Sequence, residues 1–166
     1  MRQSLKVLVA ALLLVAGCAT DHTRVDTATT TCCATTQYKT FFVKAEHIPA
    51  FLGPLMVSNF SVAFANIGMQ PVEQDADLNV VLRYEQLNLE PSGRRDNFEG
   101  RIASGDTTRF IARIIVEMHD AKSGKIVWSG HIQRLHDVGP GDYMHTGKAS
   151  VAIFDAFAKL LKNYPG

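Results

Sequence analysis

Apolar residues recur along this chain at two spacings. A spacing of two residues predicts strands, and spacings of three and four residues predict helices. A period of two, typical of a half-buried strand, runs from Leu78 to about Leu89, with apolar residues on one face and polar residues on the other. Further extended segments are predicted over Tyr38–Val43, Gln70–Val72, Thr108–His119 and Lys125 to about His136. The sequence therefore predicts a sheet of about four main strands.

The long strand contains one irregularity. Its apolar parity changes between Tyr84 and Leu87, so that the leucines after Tyr84 would point to the opposite face. A β-bulge or a strand end near Glu85 or Gln86 would restore the pattern, and we predict one there.

The last two strands are joined by the segment Asp120–Gly124, which predicts a hairpin with Gly124 in the left-handed conformation. This turn pairs Ala121 with Lys125, and the register follows from it. Apolar residues then pair on one face, namely Met118 with Trp128, Val116 with Gly130 and Ile114 with Ile132. The same register pairs Glu117 with Ser129 and Arg113 with Gln133 on the other. A slip of one residue would exchange the two faces, so this agreement supports the register.

Two helices follow from apolar residues spaced three and four apart. The first begins at Pro54 and ends near Gly68, with a stripe formed by Met56, Phe60, Ala63, Phe64 and Ile67. The second ends before Pro165, with a stripe formed by Ile153, Phe154, Phe157, Leu160, Leu161 and Tyr164. The predicted fold is α+β, a two-layer sandwich of a mainly antiparallel sheet with two helices on one face, in the order β-α-β-β-β-α.

The N-terminal segment has a different pattern. Arg2 and Lys6 precede a short apolar run over Val7–Val15, and the tripeptide Val-Ala-Gly then leads into Cys18. This is the order of a secretory signal, and the run is too short to span a membrane. The ending resembles a lipobox, so we predict a signal peptide over residues 1–17 and acylation of Cys18. Ala19, where aspartate would retain a lipoprotein in the inner membrane, favours the periplasmic face of the outer membrane.

Residues 18–36 are rich in threonine and almost free of large apolar residues, which predicts a lipidated tether ahead of a single globular domain over residues 37–166. Threonine also favours strands, so pairing of part of this segment with a sheet edge is an alternative. Cys32 and Cys33 are adjacent, and free thiols, a vicinal disulfide and an intermolecular disulfide remain open for them. A zinc site is rejected, because no further group of cysteines and histidines would complete it.

The net charge of the chain limits the classes of partner that it can bind. The full chain has a net charge of +1, and removal of the predicted signal leaves about −1, which argues against nucleic-acid binding. We expect no metal and no cofactor, because the histidines and cysteines lack the spacing of a known site. Arg94, Arg95 and Arg101 concentrate positive charge in a polar loop, and arginine suits phosphate and carboxylate groups. They are the candidate residues for an anionic ligand.

Several of these segments together resemble a group of small bacterial lipoproteins built on a domain of unknown function. The resemblance covers Tyr38 to Gly166: a Tyr-Lys-Thr-aromatic strand from Tyr38, an Ala-Asp-Leu strand from Ala76, and a hairpin Asp-Ala-x-x-Gly-Lys-x-Val-Trp-x-Gly over Asp120–Gly130. It implies an α+β fold and a place in the cell envelope, and it supplies no catalytic residue. The arginine loop and the paired cysteines depart from it.

These features favour a non-enzymatic lipoprotein, attached to the membrane through N-terminal acyl chains, that is an accessory or assembly subunit of an envelope complex. Its partner would be another envelope protein or further copies of the chain. The alternative is a module that binds a lipid or a cell-wall fragment. An envelope hydrolase is the third hypothesis.

Overall fold

One mixed sheet and two helices make up the described part of the chain, which comprises residues 26–31, 38–89, 108–138 and 144–165 of a computed structural model. The strands are β1 (Asp26–Thr31), β2 (Thr40–Glu46), β3 (Gln70–Pro71), β4 (Leu78–Asn88), β5 (Thr108–Asp120) and β6 (Ile126–Val138). The helices are α1 (Gly53–Ala65) and α2 (Thr146–Leu161). The six strands lie in the order β1-β6-β5-β4-β2-β3, and β2 is parallel to both of its neighbours while the other pairs are antiparallel.

The predicted fold class is confirmed. The succession β2-α1-β4-β5-β6-α2 reproduces the expected order, and the short strands β1 and β3 extend the sheet at its two edges. Both helices pack on the same face of the sheet, because their apolar stripes and the apolar face of β4–β6 can be buried only against each other.

The predicted helical stripes form much of the core. In α1 the side chains of Met56, Phe60, Ala63 and Phe64 are buried, and in α2 those of Phe157, Leu160 and Leu161 are buried. Gly68 has a φ of +96°, the left-handed conformation expected of a residue that follows a helix. Ile67 is the exception to the stripe: α1 ends at Ala65, and Ile67 is 45% exposed in the turn that follows.

The hairpin register is confirmed from Arg113 opposite Gln133 to Met118 opposite Trp128. The predicted pairing of Ala121 with Lys125 is wrong, because the N–H of Asp120 donates to the carbonyl oxygen of Lys125. Gly124 has a φ of +69°, as the turn requires. The register shifts between Met118 and His119, where Val127 is the additional residue of β6.

The bulge predicted near Glu85 or Gln86 is wrong. The pairing of β4 with β5 is continuous from Leu78 to Asn88, so the leucines after Tyr84 do lie on the opposite face. Leu87 is 62% exposed. The apolar residues change face at this point because neither face of the strand is fully buried beyond Tyr84, so burial no longer requires them to stay on one side.

The threonine-rich segment contributes to the sheet. The six residues of β1 pair in antiparallel register with β6, from Asp26 opposite Gln133 to Thr31 opposite Trp128. Of the two interpretations left open for these residues, the structure corresponds to pairing with a sheet edge. The predicted boundaries at residues 17, 36 and 37 lie outside the described residues and stay predictions.

The three long strands pass through two environments. The covered half of the sheet, under the helices, comprises Leu78–Tyr84, Ile114–Asp120 and Ile126–Ile132, and its inward side chains are almost all buried. The distal end comprises Glu85–Asn88, Thr108–Arg113 and Gln133–Val138, where every described side chain is partly or fully exposed.

Candidate interaction surface

The sheet face that the helices leave uncovered is the candidate functional site, and we call it the open face. Its side chains come from alternate positions of four strands: Phe42, Lys44 and Glu46 in β2; Asn79, Val81, Arg83, Glu85 and Leu87 in β4; Arg109, Ile111, Arg113, Ile115, Glu117 and His119 in β5; Ser129, His131, Gln133, Leu135 and Asp137 in β6. Unlike the helix side, this face combines charged and apolar residues.

A chain of charges crosses three strands in the covered half of the open face. The guanidinium group of Arg83 forms an ion pair with Glu117 of β5, and its Nη1 lies 4.0 Å from Oε2 of Glu46 in β2. The second oxygen of Glu117 lies 3.4 Å from Nε2 of His119. A hydrogen bond from Lys44, whose Nζ lies 2.7 Å from the carboxylate, lowers the pKa of Glu46. The charges of Glu46, Arg83 and Glu117 alternate in sign and compensate one another across the strands.

A second polar cluster lies at the distal end. Arg113 donates a hydrogen bond of 3.2 Å from Nη2 to Oε1 of Gln133, and its Nη1 lies 3.6 Å from Oε2 of Glu85. Together with Gln86, Leu87 and Ile111 these residues line an open depression of about 390 Å³. The depression therefore offers a guanidinium group and an amide beside aliphatic side chains.

An apolar row crosses the sheet next to this cluster. Leu87, Ile111 and Leu135 lie directly opposite one another on neighbouring strands. Leu87 is exposed, and the other two are half-buried. In the next row outward Nε of Arg109 lies 2.9 Å from Oδ1 of Asp137. The apolar row is thus bordered by charged residues on both sides.

The opposite face of the distal end holds an aromatic stack. The rings of Phe110 and His136 lie 4.8 Å apart and within 8° of parallel. Burial, followed by the charge of Arg134, lowers the pKa of His136 below its usual value. The stack joins β5 to β6 where the helices give little cover.

The residues that carry the family resemblance meet at the other end of the sheet, in a polar network that sequence reasoning did not foresee. Asp77 accepts hydrogen bonds from the backbone N–H groups of Lys39 and Thr40, and its own N–H donates to Oγ1 of Thr40. The hydroxyl of Tyr38 donates to Asp120, which also accepts from Ser123 in the hairpin turn.

This network has a structural role. The backbone hydrogen bonds from Lys39 and Thr40 lower the pKa of Asp77, so its carboxylate stays ionised and holds the start of β2 against the start of β4. Asp120 in turn joins the hairpin to Tyr38. Sequence proximity gives no hint of these contacts, because Asp77 is 37 positions from Thr40.

Trp128 is packed inside the molecule. Its side chain is 1% exposed, and its ring lies over Gly130, where an added Cβ would approach Cη2 to 2.7 Å. A partner therefore cannot reach this ring in the folded state. Glycine at position 130 thus avoids crowding by Trp128 itself and by Leu160.

The remaining candidate residues include some that the structure does not describe. Cys18, Arg94, Arg95, Arg101 and the pair Cys32 and Cys33 lie outside the described residues and stay predictions. Within the described ranges, no group of three or more histidine, cysteine, aspartate or glutamate side chains could hold a metal ion. No helix in these ranges combines the length and apolar character that crossing a membrane requires.

No protein-family profile matches this chain, and no curated protein sequence does either. Solved structures do resemble it. The PelC dodecamer from Paraburkholderia phytofirmans has a TM-score of 0.50 at 14% identity, over 83% of this chain and 95% of that one. A PDZ domain protein from Parabacteroides distasonis has a TM-score of 0.52 at 12% identity, over 95% of this chain and 40% of that one.

A DUF4136 family protein from Bacteroides thetaiotaomicron has a TM-score of 0.45 at 15% identity, over 87% of this chain and 97% of that one. Further similar structures, from Acinetobacter baumannii, Neisseria meningitidis and Caulobacter crescentus, are named as lipoproteins. The structural neighbours thus include bacterial lipoproteins and a DUF4136 family protein. At these identities the likeness extends to the fold alone.

Proposed function

We propose that this chain is a non-enzymatic lipoprotein, attached to the periplasmic face of the outer membrane through acyl chains on Cys18. It acts as an accessory or assembly subunit of an envelope complex, and its open face binds the partner. The observation that carries the proposal is the open face itself, a sheet surface that neither described helix covers and that presents charges and apolar side chains together.

The dimensions of the open face suit a protein partner. The two longest strands have 13 residues each and are therefore ~43 Å long, and neighbouring strands are ~4.8 Å apart. Summed over β1, β2, β4, β5 and β6, the face covers on the order of 800 Å². That is about the area that one partner contributes to a standard protein–protein interface.

The charges of the open face favour specific docking. Arg83 and Glu117 are already paired within the sheet, so a partner that covers them leaves no isolated charge behind. The alternation of sign sets the registers in which a charged partner can dock without repulsion. Ile115, half-buried at the middle of the face, adds apolar contact area.

Self-association is the first partner to test. A protein of similar fold, PelC from Paraburkholderia phytofirmans, is solved as a dodecamer. A second copy of the chain would bring the same alternating charges to the interface, and rotation about a two-fold axis can oppose Arg83 of one copy to Glu117 of the other.

The test is site-specific photo-crosslinking in intact cells. A photoreactive amino acid replaces Ile115 on the open face, and a matched control replaces Val62, which is 52% exposed on α1. We expect a discrete crosslinked product, a dimer or an envelope protein, from position 115 and not from position 62. The absence of a product at position 115, with a monomer on native extraction, would contradict the proposal.

The alternative function, binding of a lipid or cell-wall fragment, has its support in the distal depression of about 390 Å³. There Arg113 and Gln133 could donate hydrogen bonds to a carboxylate or phosphate while Leu87 and Ile111 contact an acyl or sugar moiety. Replacement of Arg113 by alanine should then abolish capture of peptidoglycan fragments or phospholipid by the purified protein. Unchanged capture would exclude the depression as the binding site.

A further inference from the structure

The strand nearest to the predicted anchor enters the sheet beside the apolar row. Asp26, the first residue of β1, pairs with Gln133. Leu135 lies two residues further along the same strand, which places the row Leu87–Ile111–Leu135 ~7 Å from the Asp26 position along the strand direction. The chain preceding Asp26 therefore starts close to Leu135, at the β6 end of this row.

The covalent length of that chain limits how far the domain can stand from the membrane. Asp26 follows Cys18 by eight residues, which reach ~28 Å when fully extended and ~16 Å on average as a flexible coil. From Gln133 to Val138, at the limit of the distal end, is ~17 Å along the strand. From Gln133 to the hairpin turn at Gly124 is ~30 Å in the opposite direction.

These lengths distinguish the two ends of the sheet. A bilayer at the hairpin turn would require the whole segment to be stretched back along the domain, which a flexible chain resists entropically. A bilayer at the distal end requires only its average length. An acylated Cys18 thus favours an orientation with the distal end toward the membrane.

We propose that the distal end rests on the phospholipid bilayer and that the apolar row Leu87–Ile111–Leu135 contacts the boundary between headgroups and acyl chains. Arg109 and Arg113 border the row on either side, where guanidinium groups can donate hydrogen bonds to lipid phosphates. This inference rests on the acylation of Cys18 in the proposed function.

Such a contact would fix the orientation of the domain relative to the membrane. Acyl chains hold a lipoprotein at the membrane without fixing how its domain is turned, whereas a second contact by the protein removes that rotational freedom. With the distal end on the bilayer, the long strands stand away from the surface. The charged part of the open face, around Arg83 and Glu117, then lies above the membrane surface, within reach of a neighbouring protein.

The test uses the full-length, acylated protein in vesicles of phosphatidylethanolamine and phosphatidylglycerol. Cys32 and Cys33 are replaced by serine, and an environment-sensitive fluorophore is attached at Leu87→Cys or, as the matched control, at Val62→Cys, both exposed positions. Lipids with a spin label high on the acyl chain quench a fluorophore that touches the bilayer. We expect several-fold stronger quenching at position 87 than at position 62.

The outcomes separate this inference from the proposed function. If mass spectrometry shows acylated Cys18 but quenching is equal at the two positions, whether strong or weak, the orientation is overturned and the anchor stands. If Cys18 carries no acyl chain and the protein stays in the aqueous phase, both are overturned. Stronger quenching at position 62 would place the opposite side of the domain on the membrane and also overturn the inference.

Discussion

The covered half and the distal end of the sheet are built by the same three strands, in which apolar residues recur at every second position. The two regions differ in whether those apolar side chains are buried. In the covered half Val80 and Val116 are fully buried and Trp128 is 1% exposed, whereas Leu87 at the distal end is 62% exposed. A period of two specifies which residues share a face. Whether that face is buried depends on helices that are distant in the sequence.

The largest expected effect of one substitution is in the covered half. Phe60 is completely buried, and its ring centroid lies 5.3 Å from those of Phe64 and Phe157. Phe60→Ala should lower the free energy of unfolding by about 3–5 kcal/mol, because it removes buried area and leaves a cavity. Chemical unfolding followed by the fluorescence of Trp128, the single tryptophan, measures it.

Leu87→Ala is the matched change at the distal end. It should alter the free energy of unfolding by less than about 0.5 kcal/mol, because Leu87 is mostly exposed already. An effect comparable with that of Phe60→Ala would show that the distal end is covered in solution, and the contrast between the two regions would fail.

A second substitution tests how tightly the covered half is packed. Gly130→Ala should cost about 1–3 kcal/mol, because the new methyl group would lie 2.7 Å from Cη2 of Trp128 and 2.9 Å from Cδ1 of Leu160, both buried side chains that cannot move aside freely. The same unfolding measurement applies.

Gly147→Ala is the control for this substitution. Gly147 lies in the first turn of α2, with no atom within 4 Å of an added Cβ. Alanine there should be neutral or stabilising by up to about 1 kcal/mol, since it favours the helix. If Gly130→Ala were equally harmless, Trp128 would not be held against the strand as the structure indicates.

The sequence predicted the covered half well because local rules decide it. The stripe from Met56 to Phe64, the hairpin register and the positive φ of Gly124 all follow from spacing or from a turn residue. The predicted bulge near Glu85 was wrong because the pattern was read as if both halves were equally buried. The true register keeps Leu87 exposed.

The candidate surface was much harder to predict. The sequence singled out Arg94, Arg95 and Arg101, which are neighbours in the chain, whereas the pairing of Arg83 with Glu117 joins residues on different strands. Only the register of β4 against β5 brings that pair together, and β2 comes to lie beside β4 through a crossover. Charge patterns along one strand contain no information about that arrangement.

A smaller loss of stability than that of Gly130→Ala, and one that depends on pH, is expected at the edge of the covered half. Asp77→Asn should lower the free energy of unfolding by about 1 kcal/mol near neutral pH, because the amide accepts the bonds from Lys39 and Thr40 without the charge of the carboxylate. Those bonds hold the folded-state pKa of Asp77 below its ordinary value of 3.8. A depressed pKa stabilises the fold above the unfolded-state value.

The stabilisation by Asp77 should therefore be complete above about pH 5 and decline as the pH falls through 3.8 toward the lower folded-state pKa. The unfolding curves of the wild type and of Asp77→Asn should converge as the pH falls below 3.8 and stay separated at pH 7. Asp155→Asn, the same change at an exposed position of α2, is the control and should leave the curve almost unmoved. A gap between wild type and Asp77→Asn that persists unchanged at pH 3 would mean that packing of the side chain, rather than its charge, joins β2 to β4, and the network would then be part of the core rather than a polar border to it.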